Sequence, residues 1–446
     1  MGQKIRCPFR SLGGILRLYP WACPARILNP AVSEMVILDK TNLLPYLRAH
    51  YPAFDTGGAS VSAIGDDEGD SQGLINYLFR VRNGHSSLIV KQARSNLRLD
   101  DDVPTGGARY APPQDRNYSE YLSLRLRRSI TPDCVPEVYY ADRENHVFLM
   151  EDVSYLRPSR SLLAAGIPIP GLGERCARFL CDNHFYTTEF YLDTEEFRQL
   201  SRCFTNTGMR RIMENWLFLR DTPTHECPPL TRHFLPYIFA EDVVVQSHLL
   251  RHKYMNATQA FIHSDIHTSN IFANGSQIKV IDMEYTFAGP CAYDLGYLLA
   301  SLVSQYCAAS FRAFPSQGER AGFQRYLLET IYVLIEGYLA RFAAHWNDES
   351  KEVYRSCPGF RDAFLAQIVP DTAGFAAMPM FTLCVSSFGF TEEFEAIGDE
   401  TAKLHALQLY CALGRRFLMN RAQIRTAADI LDTILEGERD YRSCVK

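Results

Sequence analysis

From residue 35 onward, apolar and polar positions fall into two successive regimes. Segment 42–50 spaces its apolar residues at helical intervals, with Asp39 or Thr41 placed to cap it. Segments 61–64, 77–81 and 87–91 are short, apolar and rich in β-branched or aromatic residues, which predicts three strands. Segment 93–116 is dense in Asp, Gly, Pro and Arg and reads as a mobile connection, before a helical pattern opens around Glu120. Segments 135–141 and 146–150 then predict a β-hairpin, after which 173–191, 208–219 and 242–260 are helical. Strands therefore cluster before about residue 152 and helices follow, the order expected of two unequal α+β lobes. The predicted division is a basic extension at 1–34, a β-rich lobe at 35–152 and a helical lobe at 153–446.

Composition adds limits. With 47% hydrophobic and 22% charged residues the chain has an ordinary globular balance, and its net charge of −5 offers nucleic acid no basic field. Two long uncharged runs, 295–311 and 372–391, carry hydroxyl, Gly and Pro residues and are read as buried helices rather than membrane spans. The 13 cysteines include no CxxC pair or zinc spacing, which suits reduced intracellular thiols and a cytoplasmic protein. Residues 1–33 hold five basic residues and no acid, which fits either an organellar transit peptide or a start that really lies at Met35.

Candidate chemistry concentrates in 261–296. His263, Asp265 and Asn270 form HxDxxxxN; a turn at Asn274-Gly275 and an apolar run follow, ending in Asp282-Met283-Glu284. Phosphoryl transfer needs a carboxylate beside the attacking hydroxyl and oxygen ligands for the metal on the nucleotide phosphates. Asp265 suits the base; Asn270, Asp282 and Glu284 suit Mg2+. His263 is read as structural, holding the loop backbone. The spacing is that of a protein-kinase catalytic loop and metal aspartate, which makes the predicted architecture a bilobal protein-kinase-like fold.

The nucleotide half is sparser. The loop 65–73 is punctuated by glycine, and Gly73 to Asn76 is its candidate phosphate contact, because four acids precede it. Lys91 ends an apolar strand, where it can meet the α/β-phosphates of ATP, and Glu120 is placed to pair with it. The linker after the hairpin, with Glu151 and Val153, is the expected adenine-reading segment. A lone strand-end lysine or helical glutamate is ordinarily a solvated charge; the surrounding pattern is what singles these out.

These pieces, with Phe185-Tyr186-Thr187-Thr188-Glu189, Gly289-Pro290 and Asp294-Leu295-Gly296, resemble the methylthioribose kinase family of aminoglycoside-phosphotransferase-like small-molecule kinases. The resemblance runs from about residue 37 to the C-terminal region, and Asp-x-Glu at 282–284 is specific to that branch. It implies ATP- and Mg2+-dependent phosphorylation of the anomeric hydroxyl of 5-methylthioribose, a homodimer, and a structural role for Asp294. Two departures stand out. Asn270 replaces a frequent family Ser, and the family's twin substrate-binding arginines fall, counting from Asp371-Thr372, on Thr382 and Leu383. Arg416 and Arg421 are the nearest downstream substitutes. Two other readings stay open: a kinase of another sugar, alcohol or amino-alcohol, and a nucleotide-binding pseudokinase or scaffold. Joint retention of Lys91, Asp265, Asn270 and Asp282 speaks against the second.

Overall fold

The computed structural model describes residues 35–65, 75–95, 115–219, 227–385 and 390–444. The basic extension and Gly73 lie outside these residues.

Five antiparallel strands build the first lobe in the order β1-β2-β3-β5-β4: β1 Ser60–Ala63, β2 Tyr77–Arg82, β3 Ser87–Gln92, β4 Val138–Asp142 and β5 Val147–Glu151. The period-2 geometry of a strand sorts the side chains of β3 and β5 between two cores. Leu88, Val90, Val147 and Leu149 pack with Leu43, Tyr46 and Leu47 of the helix Leu43–His50. Ile89, Phe148 and Met150 join the main core on the opposite face, beside Leu124 of the helix Arg116–Ile130. Lys91 shares the parity of Ile89, so it points at that second helix. Asn117 fixes the helix there, donating to the Lys91 carbonyl (2.9 Å) and the His146 carbonyl (2.8 Å).

After a short linker the chain becomes mainly helical, with two small sheets at the inter-lobe face: β7 Ala260–Ile262 with β10 Phe287–Gly289, and β6 Arg157–Pro158 with β8 Ile271–Ala273 and β9 Ile278–Val280. Several expected boundaries move. The helix expected over 242–260 stops at Asn256, and Ala260–Ile262 forms β7 instead. Phe261 and Ile262 gain a sheet partner and complete burial there, which outweighs the local helical pattern. The helix expected over 173–191 ends at Phe185, and 208–219 divides into Thr207–Met213 and a π-helical turn, Glu214–Leu219. Arg116 opens a helix with its side chain buried, so the connection before it ends earlier than its composition suggests.

The apolar run at 295 lies in the helix Cys291–Phe311, buried from Cys291 through Ser310. The run at 372 lies in Ile368–Val385; the stretch Pro358–Val385 is long and apolar enough to cross a membrane, yet 78% of its most apolar 18-residue window is buried inside the protein. These two helices meet closely at Gly296, where an added Cβ would stand 2.7 Å from the Thr372 carbonyl oxygen and 2.8 Å from the Ala376 nitrogen. Both neighbours are backbone and cannot rotate away. Gly296→Ala should therefore lower unfolding free energy by about 1–3 kcal/mol through overpacking, measurable as a reduced denaturant midpoint.

Candidate active site

Three segments from both lobes converge on one cleft. From β3, Lys91 Nζ reaches Glu120 Oε2 at 2.6 Å and Asp282 Oδ1 at 2.5 Å. Burial works against the lysine's charge, but Asp282, Glu120 and Glu284 more than offset it and raise its pKa above the ordinary value. Lys91 is thus a fixed cation at the cleft, positioned by an ion pair across the small lobe and already facing the proposed metal aspartate.

The catalytic-loop candidate lies between β7 and β8. Ser264 takes a left-handed backbone with φ +69°, and Asp282, after β9, takes φ +64°. Each such non-glycine residue costs on the order of 1–3 kcal/mol and persists only where its surroundings hold it. Asp294 supplies that hold at Ser264. Its carboxylate, fully buried, accepts the N–H of His263 (2.7 Å) and of Ser264 (2.9 Å), and meets His184 Nε2 at 3.0 Å. Burial opposes the charge, but the contacts from His184 and the loop keep the Asp294 pKa below its usual value. His263 Nε2 donates to the Ile281 carbonyl (2.9 Å), tying the loop to the residue before Asp282. Its pKa is lowered to about 4, chiefly by burial, so the ring is neutral at pH 7 and serves as a strut.

Asp265 keeps part of its side chain open to the cleft, with 14% exposure. Burial, reinforced by the nearby Asp282 carboxylate, raises its pKa well above the ordinary value. Asn270 Nδ2 donates to the Asp265 carbonyl at 2.9 Å, which leaves the amide oxygen of Asn270 without a protein partner among the described residues. Glu284 is wholly buried: Oε2 accepts from Asn76 Nδ2 (2.6 Å), with Arg116 Nε 3.9 Å away. Its Oε1 has no hydrogen-bond partner among the described residues. Oxygens of Glu120, Asp282 and Glu284 lie within 4.8 Å of one another.

A family model described as "Phosphotransferase enzyme family" matches residues 68–328, which span this whole cleft. The chain belongs to that family. Among curated proteins it is 27% identical over 373 residues to a methylthioribose kinase of Geobacillus thermodenitrificans, covering 82% of this chain and 90% of the relative. It is 26% identical over 426 residues to methylthioribose kinase 2 of Oryza sativa subsp. japonica, covering 90% and 96%. A choline kinase structure from Cryptosporidium parvum Iowa II aligns over 87% of this chain and 98% of its own, at 13% identity and a TM-score of 0.42. The chain is a small-molecule kinase of the phosphotransferase family.

Within that family frame, the remaining sequence candidates fall in different places. Glu151 uses its side chain locally: it accepts from Lys279 Nζ (3.2 Å), the Glu137 N–H (2.9 Å) and the Tyr155 hydroxyl (2.7 Å). Val153 packs with Leu156, Phe272 and the half-buried Ile281, an apolar wall joining the linker to the residue before Asp282. Asn76 faces Glu284 and Arg116, whose Nε donates to its Oδ1 (2.7 Å), so its side chain is spent inside the protein. Thr382 turns its hydroxyl back to the Met378 carbonyl (3.1 Å), and Leu383 packs on the core, so neither offers the cleft a cation. Arg416 pairs with Asp440 and Arg421 donates to Gln246 (3.0 Å), which removes both downstream substitutes from consideration.

Sequence reasoning missed Arg116 and His184. Arg116 sits at the edge of a segment whose composition reads as a loop. His184 carries no motif, and its importance arises from a contact 110 residues away in sequence.

Proposed function

We propose that this kinase uses ATP and Mg2+ to phosphorylate a sugar hydroxyl, with S-methyl-5-thioribose converted to its 1-phosphate. The observation that carries the reading is the bridge of Lys91 between Glu120 and Asp282, with Asp265 open to the same cleft. The curated relatives over most of the chain, both named methylthioribose kinase, support the acceptor.

A divalent metal fits the donor set. Asp282, the free amide oxygen of Asn270 and the orphaned Oε1 of Glu284 are hard oxygens, the type magnesium prefers. Bound there, the ion would neutralise charge on the nucleotide phosphates. The protein's own residues do the rest. Lys91 steadies the phosphates of bound ATP, and the apolar wall of Val153, Phe272 and Ile281 receives its flat base. Asp265 accepts the proton of the acceptor hydroxyl as its oxygen attacks the terminal phosphorus and the bond to the ADP oxygen breaks. The raised pKa of Asp265 brings its basicity nearer to neutral pH, which suits that transfer. His263 and Asp294 hold the loop so that no rearrangement accompanies the step.

A second reading, another small alcohol or amino-alcohol as acceptor, is favoured by Thr382 and Leu383 standing where the resemblance places a guanidinium pair. ATP consumption across ribose, methylthioribose, amino-alcohol and aminoglycoside acceptors separates the two. Methylthioribose should give the largest kcat/KM. A larger value for an amino-alcohol or aminoglycoside would replace the first reading with the second.

A further inference from the structure

A half-buried guanidinium is tied to the loop that carries Asp265, from a direction the resemblance does not suggest. Arg160 lies in the short helix Ser159–Ala164, directly after β6. Its backbone N–H donates to the Thr268 carbonyl (3.1 Å) and its Nε to the Thr268 hydroxyl (3.4 Å). The side chain is therefore fastened to the catalytic loop, three residues past Asp265. From the other side, Glu393 Oε2 stands 3.6 Å from the same Nε. Glu393 is completely buried; its Oε1 accepts from the Ser304 hydroxyl, while Oε2 has no hydrogen bond. Arg160 is the charge that compensates it. Next to it, Ser161 donates to Glu392 Oε2 at 2.9 Å, so two consecutive residues grip two consecutive glutamates.

This clamp engages only Nε. The two terminal nitrogens of Arg160 have no protein partner among the described residues. Their charge is felt at the cleft: it acts on Asp265 and on Tyr297. It also adds to burial in pushing His267 down to about 3. Asp282, on the nucleotide side, answers chiefly to Lys91 among the cations. Tied to Thr268 on the loop that carries Asp265, while Lys91 holds Asp282 on the nucleotide side, Arg160 belongs to the acceptor half of the site. A guanidinium fixed through Nε presents its remaining donors as a planar fork suited to two adjacent oxygens.

We propose that Arg160 is an acceptor-binding residue whose terminal nitrogens donate to neighbouring hydroxyls of a polyol bound beside Asp265, a role the residues at 382 and 383 cannot fill. The inference rests on the kinase reading above and names a specificity determinant for it. Glu393 and Thr268 are positioning residues that hold the fork.

The test measures kcat and KM for the best sugar acceptor and for its 2-deoxy analogue, with KM for ATP recorded alongside, in the natural protein, Arg160→Ala and Arg160→Lys. Arg160→Ala should lower acceptor kcat/KM by about 10- to 150-fold, the loss of a charge-assisted contact, mainly through KM and with KM for ATP unchanged. It should also abolish the preference for the acceptor over its deoxy analogue, and millimolar guanidinium should restore part of the loss. Because Arg160→Ala leaves Glu393 uncompensated and can fail to fold, Arg160→Lys carries the decision in that event: it keeps a positive charge but no fork. Loss of the deoxy discrimination in a folded Arg160→Lys supports the proposal. Retained discrimination, or equal loss of acceptor and ATP binding with a lower melting temperature, overturns it in favour of a purely structural clamp. If the natural protein forms no ADP with any acceptor, the kinase reading itself fails and takes this inference with it; normal turnover in both Arg160 variants defeats the inference alone.

Discussion

Asp265→Asn lowers kcat by roughly 10²–10⁴ while ATP affinity stays near that of the natural protein, the expected result of removing a positioned base. Asparagine is nearly the same size, so it can keep the loop's shape while its amide cannot take a proton. The backbone carbonyl of residue 265 still accepts from Asn270 at 2.9 Å, and the loop's anchors are the N–H groups of 263 and 264 on Asp294. The deficit should therefore fall on turnover rather than on folding or nucleotide binding. Isothermal titration with ATP analogue and Mg2+, set beside steady-state kcat, separates the two. Equal losses in binding and turnover would mean that Asp265 serves the nucleotide site instead.

Asp294→Ala should have the largest effect on stability, lowering unfolding free energy by about 3–5 kcal/mol, because one buried charge-bearing hub disappears at once. Its removal strands two buried N–H donors and separates His184 from its only carboxylate contact among the described residues. His184 would keep its bond to the Tyr338 hydroxyl at 3.0 Å, which limits the damage on that side. At Ser264 the Tyr254 hydroxyl, 2.7 Å from Ser264 Oγ, and the neighbouring His263 strut to the Ile281 carbonyl would be left to offset the left-handed backbone. Activity should fall with stability, since Asp265 is the next residue. Urea unfolding checks the first effect. Asp294→Asn, which retains one acceptor oxygen, should lose less than Asp294→Ala; the opposite order would mean that contacts other than those N–H bonds dominate.

The fold was legible because its two periodicities change near one point in the chain. The short apolar runs at 87–91 and 146–150 predict strands, and the structure sorts Leu88 and Val90 from Ile89 onto opposite faces as strand geometry requires. What failed were boundaries set by distant partners: β7 is a strand because β10 lies beside it, 27 residues downstream from Ala260 to Phe287. At the site, residues within one contiguous motif could be read together, since their spacing is the geometry. Arg116 and Arg160 could not. Each reaches its partners across sequence separations that no local pattern records: Arg116 meets Glu284, and Arg160 meets Glu393. The substitutes named for the absent arginines were chosen by closeness along the chain, and Arg416 and Arg421 instead face Asp440 and Gln246.

The central claim, transfer of the terminal phosphoryl group of ATP to a sugar hydroxyl with Asp265 as base, is tested most directly by following the phosphorus. Natural protein mixed with γ-labelled ATP, Mg2+ and methylthioribose should place the label in an acid-labile sugar 1-phosphate, and Asp265→Asn should form it at least about a hundredfold more slowly. Label recovered only as inorganic phosphate or attached to the protein, or formed equally fast by Asp265→Asn, would contradict it.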